Sequence, residues 1–297
     1  MNKLLVITGQ TATGKTKLAI QYSQKLEGEL INCDSRQTYK YLDVITGKDK
    51  QDLGKTPIHL YGVVDPKEYF SSYDFKVRAV KIISDITRRN KTPIIVGGTY
   101  LYISHLLYGI ETENIKPDLK LRKKLGEKSV AQLQEILSKL NFDEFNKLNQ
   151  SDKNNAIRLI RRIEIITSPR HSGLALAHPK QSAGADSIGF FANAQHNLKL
   201  IGLRFKAKKQ LVDAIRQRVV ERLEQGAVGE LKELLNKGYK LTDPGLKTKG
   251  CKELYAYITK EISKQELVEK WVKSEVNYAK RQYTFMKRDK KIKWIDV

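Results

Sequence analysis

Apolar and polar positions follow two patterns along this chain. Short, nearly continuous apolar runs at 4–7, 29–33, 58–66, 93–102, 198–205 and 292–295 read as strands, the fourth passing through Gly97-Gly98 into a helix. Between them lie stretches with helical spacing. Leu18, Ala19, Tyr22 and Leu26 mark a helix directly after the first run, and Phe75, Val77, Ala79, Val80, Ile83 and Ile86 mark another, with Ser72 or Asp74 as its cap. Asp65, placed before Pro66, predicts a turn. Strands alternating with helices in this way predict a parallel sheet covered on both faces.

From about residue 118 to 166 the strand signals stop. Leu121, Leu125, Leu133, Ile136, Leu137 and Leu140 predict an amphipathic helical hairpin; Ile157, Leu159, Ile160, Ile163 and Ile166 predict a further helix that carries Arg158, Arg161 and Arg162. Residues 168–197, rich in Ala, Gly, Ser and His without periodicity, read as a mobile connector, and His171, His178 and His196 lack the spacing of metal ligands. Helices are predicted over 207–225, 227–237, 249–259 and 264–287. The expected organisation is an α/β core begun over 1–115, an inserted helical subdomain with its connector over 116–196, and a return to the core with C-terminal helices over 197–297.

The stretch Gly9-Gln10-Thr11-Ala12-Thr13-Gly14-Lys15-Thr16 fits G-x-x-x-x-G-K-[ST] and joins the first strand to the first helix. Its glycines let successive N–H groups face one concavity, the helix adds its positive end, Lys15 supplies a mobile charge, and Thr16 can hold Mg²⁺. The fold class that follows is a P-loop NTPase-like α/β protein, a parallel sheet with flanking helices and an inserted helical subdomain. Asp34, at the end of the second strand, faces the ligand crevice of such a sheet, where a carboxylate serves as a metal ligand, a base or a cap.

Lys and Arg number 55 against 33 Asp and Glu, a net charge of +22. That excess fits a polyanionic partner, although a Lys-rich, Asn-rich composition also arises from genome bias. Trp271, Tyr278, Tyr283, Phe285 and Trp294 are interleaved with C-terminal basic residues, which suits RNA as well as a packed core. Cys33 and Cys251 are too few for a zinc site or a disulfide framework. No apolar run approaches the ~18 residues of a membrane span, so a cytoplasmic protein is expected.

Together these stretches resemble the tRNA dimethylallyltransferases, also called tRNA isopentenyltransferases, over essentially the whole chain. Gly9 to Thr16 is similar to the family loop G-P-T-A-[ST]-G-K-[ST], with Gln10 in place of Pro. Residues 31–48, 59–66, 93–102, 158–164 and 278–282 match further family motifs in order. Departures are Asn155 for Asp, Arg162-Ile163 for Ala-Leu, Ala214 for the first Arg of R-I-x-x-R, Cys251 for Tyr and Phe285 for Trp.

The resemblance implies transfer of a dimethylallyl group from dimethylallyl diphosphate to the exocyclic amine of the adenosine 3′ of a tRNA anticodon, by a monomer that uses Mg²⁺. It assigns general base to Asp34, and diphosphate binding to Gly9, Gln10, Thr11, Ala12, Thr13, Gly14, Lys15, Thr16 and Arg218. It assigns contact with the tRNA anticodon stem-loop to Asp34, Ser35, Arg36, Gln37, Thr99, Arg122, Arg158, Leu159, Ile160 and Arg161, and to Lys280, Arg281 and Gln282. Alternatives from the residues alone are an adenylate isopentenyltransferase, a small-molecule kinase and an RNA-binding NTPase switch. The helical insertion and basic tail argue against the first, since a mononucleotide needs neither.

Overall fold

In the computed structural model, residues 3–48, 50, 53–54, 56–109, 115, 118–168 and 198–297 are described. The connector and its three histidines therefore lie outside the described residues, apart from Ser168. Six parallel strands form one sheet, ordered β3-β2-β4-β1-β5-β6: β1 Leu4–Gly9, β2 Gly28–Asn32, β3 Ile58–His59, β4 Thr92–Val96, β5 Leu198–Arg204 and β6 Lys293–Asp296. β1 is central, with Leu5 opposite Ile94 on one side and Lys199 on the other. The third run forms only the two-residue β3, because Leu60 takes a left-handed φ of 66° and the chain then turns.

All six residues of β1 are buried, as a strand covered on both faces requires. Successive side chains alternate. Leu4 and Val6 pack with Phe75, Ala79, Ile83 and Ile86 of the helix Ser72–Arg88 and with Ile103 and Leu106 of the helix Tyr100–Tyr108. Leu5 and Ile7 pack with Ala19, and with the partly buried Leu18, Tyr22 and Leu26, of the helix Lys15–Leu26. A further core surrounds Trp271 among the helices Lys208–Glu224, Ala227–Asn236, Cys251–Ile258 and Lys264–Met286. Both cysteines are free and buried.

Some sequence expectations require correction. The helix at 72 is capped by Ser71, whose hydroxyl accepts from Asp74 N while the Asp74 carboxylate accepts from Ser71 N; Ser72 is already inside the helix. Val77 is turned outward, as is Ile157, which is 80% exposed. Asp65 does start its turn, accepting from Lys67 N at 2.9 Å and from the Tyr239 hydroxyl at 2.8 Å.

The chain divides into two units, Met1–Tyr108 with Ala183–Val297, and Gly109–Ser182. Within the second, the helices Leu119–Gly126, Val130–Leu140 and Ala156–Thr167 close on Leu125, Leu133, Leu137, Leu159 and Ile163. Two short helices that periodicity did not reveal, Phe142–Lys147 and Gln150–Lys153, link them.

At the sheet end opposite the phosphate loop, Glu29 is the second residue of β2, with its side chain only 4% exposed. It accepts from both Nη atoms of Arg89, from Lys91 Nζ at 3.0 Å and meets His59 Nε2 at 2.8 Å. Hydrogen bonding by Arg89 above all, with His59 and Lys91 adding to it against the effect of burial, holds this carboxyl far below its usual value of 4.5. A depressed folded pKa stabilises the fold fully above the unfolded value and loses that contribution as pH falls toward the folded one. Glu29→Gln should therefore lower the melting temperature at pH 7, and the gap from the parent should shrink as pH drops from about 5 to 3. A gap that stays constant with pH would assign the effect to packing.

Candidate active site

The phosphate loop leaves β1 under tight backbone control. Gly9 has φ 133°, and a Cβ there would stand 2.1 Å from the Leu203 carbonyl oxygen of β5, so only glycine fits. Gln10 N donates to Leu203 O at 3.0 Å, and Gln10 Oε1 accepts from Phe205 N at 3.0 Å. The side chain that replaces the family proline is thus 8% exposed and serves as an anchor to β5. Gly14, at φ 75°, opens the helix Lys15–Leu26. Lys15 Nζ donates to Gln10 O at 2.5 Å and Thr13 Oγ1 to the same carbonyl at 2.7 Å, so the lysine is folded over its own loop.

A cavity of about 760 Å³ opens above the loop, within the first unit. Thr11 to Lys17 form its floor. One wall is Asp34, Ser35, Arg36 and Gln37, carried from the end of β2. Here Asp34 Oδ1 accepts from Arg36 N at 2.9 Å, and Ser35 N donates to Thr99 Oγ1 at 2.9 Å, which ties the segment to the turn after β4. Tyr278 of the last helix faces the same wall and is hydrogen-bonded to Thr99; burial first, and the Asp34 charge second, push its phenol well above the ordinary range. It stays protonated at neutral pH.

The opposite wall is the face of the helix Lys208–Glu224 that carries Ala214, Gln217, Arg218, Glu221 and Arg222. Arg218 Nη1 donates to Thr11 Oγ1 at 3.1 Å and its Nη2 approaches Gly47 O at 3.4 Å, bringing this guanidinium onto the phosphate loop. Gly47 ends the four-residue helix Asp43–Thr46, whose first N–H groups are held by one carboxylate. Glu230 accepts from Asp43 N, Val44 N and Ile45 N at 2.5, 2.8 and 2.7 Å. Burial nevertheless pushes the Glu230 carboxyl up. Gln37 Nε2 donates to Gly47 O at 2.7 Å, closing the rim.

A model of the family described as IPP transferase matches residues 37–289. The chain belongs to this family. It is 34% identical to a tRNA dimethylallyltransferase of Caldanaerobacter subterraneus subsp. tengcongensis, over 99% of this chain and 92% of the relative, and 36% identical to one of Acetivibrio thermocellus, over 100% and 92%. The solved tRNA isopentenylpyrophosphate transferase of Bacillus halodurans aligns at a TM-score of 0.69 and 30% identity, covering 100% of this chain and 90% of that one. A structure of a eukaryotic dimethylallyltransferase acting on tRNA aligns at a TM-score of 0.78 and 26% identity, covering 100% of this chain and 74% of that one.

The expected site residues fall into distinct settings. Thr11, Ala12, Thr13, Gly14, Lys15, Thr16, Asp34, Ser35, Arg36, Gln37, Arg218, Arg281 and Gln282 all line the cavity. Gly9 and Gln10 are not among the residues that line the cavity: Gly9 packs against Leu203 and the Gln10 amide oxygen is bonded to Phe205 N, so both shape the loop. Gln282 is buried, donates from Nε2 to Gly98 O at 2.8 Å, and keeps its Oε1 without a partner. Lys280 is exposed on the same helix but does not line the cavity.

Arg122 and Arg161 belong to the helical unit, where both grip the buried Glu164, at 2.7 and 2.5 Å, and Arg161 also donates to Ile115 O at 2.9 Å. Arg158 pairs with Asp152 and is 57% exposed. Leu159 is fully buried in that unit's core, where its side chain packs rather than faces solvent, and Ile160 is half-buried against it. Asn155 still caps this helix, accepting from Arg158 N at 3.2 Å, because an amide oxygen accepts as a carboxylate does. The cavity is also lined by Arg222, Glu275, Lys247, Thr248 and Lys249, which no motif marks, and by Tyr278 and Gly47, which lie in the motifs 278–282 and 31–48 without being assigned a role there.

Gly9→Ala should cost about 2–4 kcal/mol, since backbone atoms of Leu203 cannot move aside. Thermal unfolding should show this as a fall of about 5–10 °C, and an unchanged melting temperature would contradict the close approach of loop and β5.

Proposed function

We infer that this chain transfers a dimethylallyl group from dimethylallyl diphosphate to the N6 amine of the adenosine adjacent, on the 3′ side, to a tRNA anticodon, releasing diphosphate. The observation that carries the residue roles is one cavity that has a phosphate loop as its floor and Asp34 on its wall. The amine nitrogen attacks C1 of the dimethylallyl group as the bond from C1 to the diphosphate oxygen breaks, and the electron pair of that bond leaves with the diphosphate. Loop N–H groups, Lys15 and Arg218 act where this negative charge grows. Asp34 takes the proton that the amine loses, and the bond from Arg36 N to its Oδ1 fixes the orientation of the carboxylate.

Lys15 must leave the Gln10 carbonyl to reach the donor, an exchange favoured by the larger charge of a diphosphate oxygen. The donor set fits Mg²⁺. Thr16 and Asp34 present oxygens to the cavity, and among the described residues no group of three or more His, Cys, Asp or Glu could form a metal cage. Mg²⁺ takes few protein ligands together with water and phosphate oxygens, so Thr16 would hold it beside the diphosphate, where it supplies positive charge to the leaving group.

The flipped adenosine enters beside Ser35, Gln37 and Gln282, with the partnerless Gln282 Oε1 available to an N–H of the base. Arg281, Lys280 and the rim lysines 247 and 249 offer charge to the anticodon loop. In the helical unit, Arg158 is the most exposed of the three expected arginines. We further read the protein as a monomer acting in the cytoplasm; among the described residues no helix is long and apolar enough to cross a membrane.

Asp34→Ala should reduce kcat with tRNA by at least about 100-fold while changing donor affinity by less than about twofold, because general-base catalysis acts on the acceptor. Near-normal single-turnover transfer would sink the assignment. Replacing Lys280 and Arg281 with Ala should raise the KM for tRNA and flatten the dependence of log affinity on log salt by about one unit per lost phosphate contact. Equal slopes would place the RNA-binding charge elsewhere, first at the rim lysines.

A further inference from the structure

Positions 214, 218 and 222 stand on successive turns of the helix Lys208–Glu224 and share the face that walls the cavity. Ala214 offers only a methyl group, and the cationic cavity-lining residues of this helix are Arg218 and Arg222. Their guanidinium groups converge. A methyl placed on Gly47 would lie 2.4 Å from Arg218 Nη2 and 2.8 Å from Arg222 Nη2. Arg222 Nη2 approaches Thr46 O at 3.4 Å, next to the Gly47 carbonyl that Arg218 approaches.

Arg222 is 6% exposed and its Nη1 donates to Glu275 Oε1 at 3.1 Å; Trp271 Nε1 approaches the same oxygen at 3.4 Å. Two cations thus stand side by side, with Glu275 paired to Arg222 and Glu221 on the same cavity-lining face of the helix. Like charges this close in a partly dry wall repel unless an anion joins them. The cavity floor beneath them is the phosphate loop.

We propose that Arg222 is the second guanidinium of the diphosphate site, working beside Arg218 where residue 214 supplies no charge, and that Glu275 is the partner it exchanges for the diphosphate. This rests on the reading of the cavity as the donor site. Glu275 then competes with the ligand. A pair that only holds the helices together would respond alike to loss of either member, whereas a competing carboxylate and a ligand-binding arginine respond in opposite directions.

Inorganic pyrophosphate binding by titration calorimetry on the full chain, with Mg²⁺ present, tests this. Arg222→Met should weaken binding about tenfold, the usual worth of one charge-assisted contact. Glu275→Gln should keep the parent affinity or tighten it, and adding Ala214→Arg to Arg222→Met should recover most of the loss. The double variant Arg222→Met with Glu275→Gln removes both charges together, so it remains measurable even if Arg222→Met alone leaves Glu275 buried without a partner and unfolds; it too should bind about tenfold more weakly than the parent. Parent-like binding by either Met variant, or an equal loss in Glu275→Gln, overturns the proposal and makes the pair structural. If the parent itself fails to bind pyrophosphate, or binds it no better than Lys15→Ala, the donor-site reading falls and the proposal with it.

Discussion

The hydrogen bond from Gln10 N to Leu203 O joins the first turn of the chain to a strand nearly two hundred residues later, and the site depends on it. Gly9 has no room for a side chain against Leu203, and the Gln10 amide closes the junction from the other side through Phe205 N. The phosphate loop is therefore seated on β5 as firmly as on β1. Its N–H groups keep a fixed direction because their carrier is wedged between two strands of the sheet interior, which is what preorganised binding of a growing negative charge requires.

Around that seat the site is assembled by short bonds between segments that sequence alone leaves unrelated. Thr99, after β4, accepts from Ser35 N and is hydrogen-bonded to Tyr278 of the last helix, so acceptor-side groups from three parts of the chain are joined at one hydroxyl. Glu230 performs a similar task on the donor side by capping the short helix before Gly47. Neither residue has to touch a substrate for its loss to disturb the geometry, since each holds backbone groups of the cavity wall.

The sheet and most helices were legible because a parallel sheet imposes continuous apolar runs and its helices impose a 3.6 period. The phosphate loop and Asp34 were legible because their spacing is local. The family resemblance supplied the donor and acceptor and pointed to Arg218, which no local pattern marks. Arg222 and Glu275 were not legible: they meet through the packing of the helix Lys208–Glu224 against the helix Lys264–Met286 and the loop at Thr46, and no spacing along the chain encodes that meeting. The burial of Leu159 and of the Gln10 side chain was not legible for a related reason. A motif gives a residue's place along the chain, whereas burial of the side chain is decided by its neighbours in space.

The strand order has a consequence for how the protein is made. When the ribosome has produced the first hundred residues, β3, β2, β4 and β1 can pair, but β1 is then an edge, its open side lined by N–H and C=O groups that β5 will later satisfy. The central strand of the finished sheet is an outer strand until the inserted unit and β5 have emerged, and β6 arrives only with the final residues. A nascent chain of this topology exposes an apolar, unpaired sheet edge from the completion of β4 until β5 emerges, an opening for self-association before it is an enzyme.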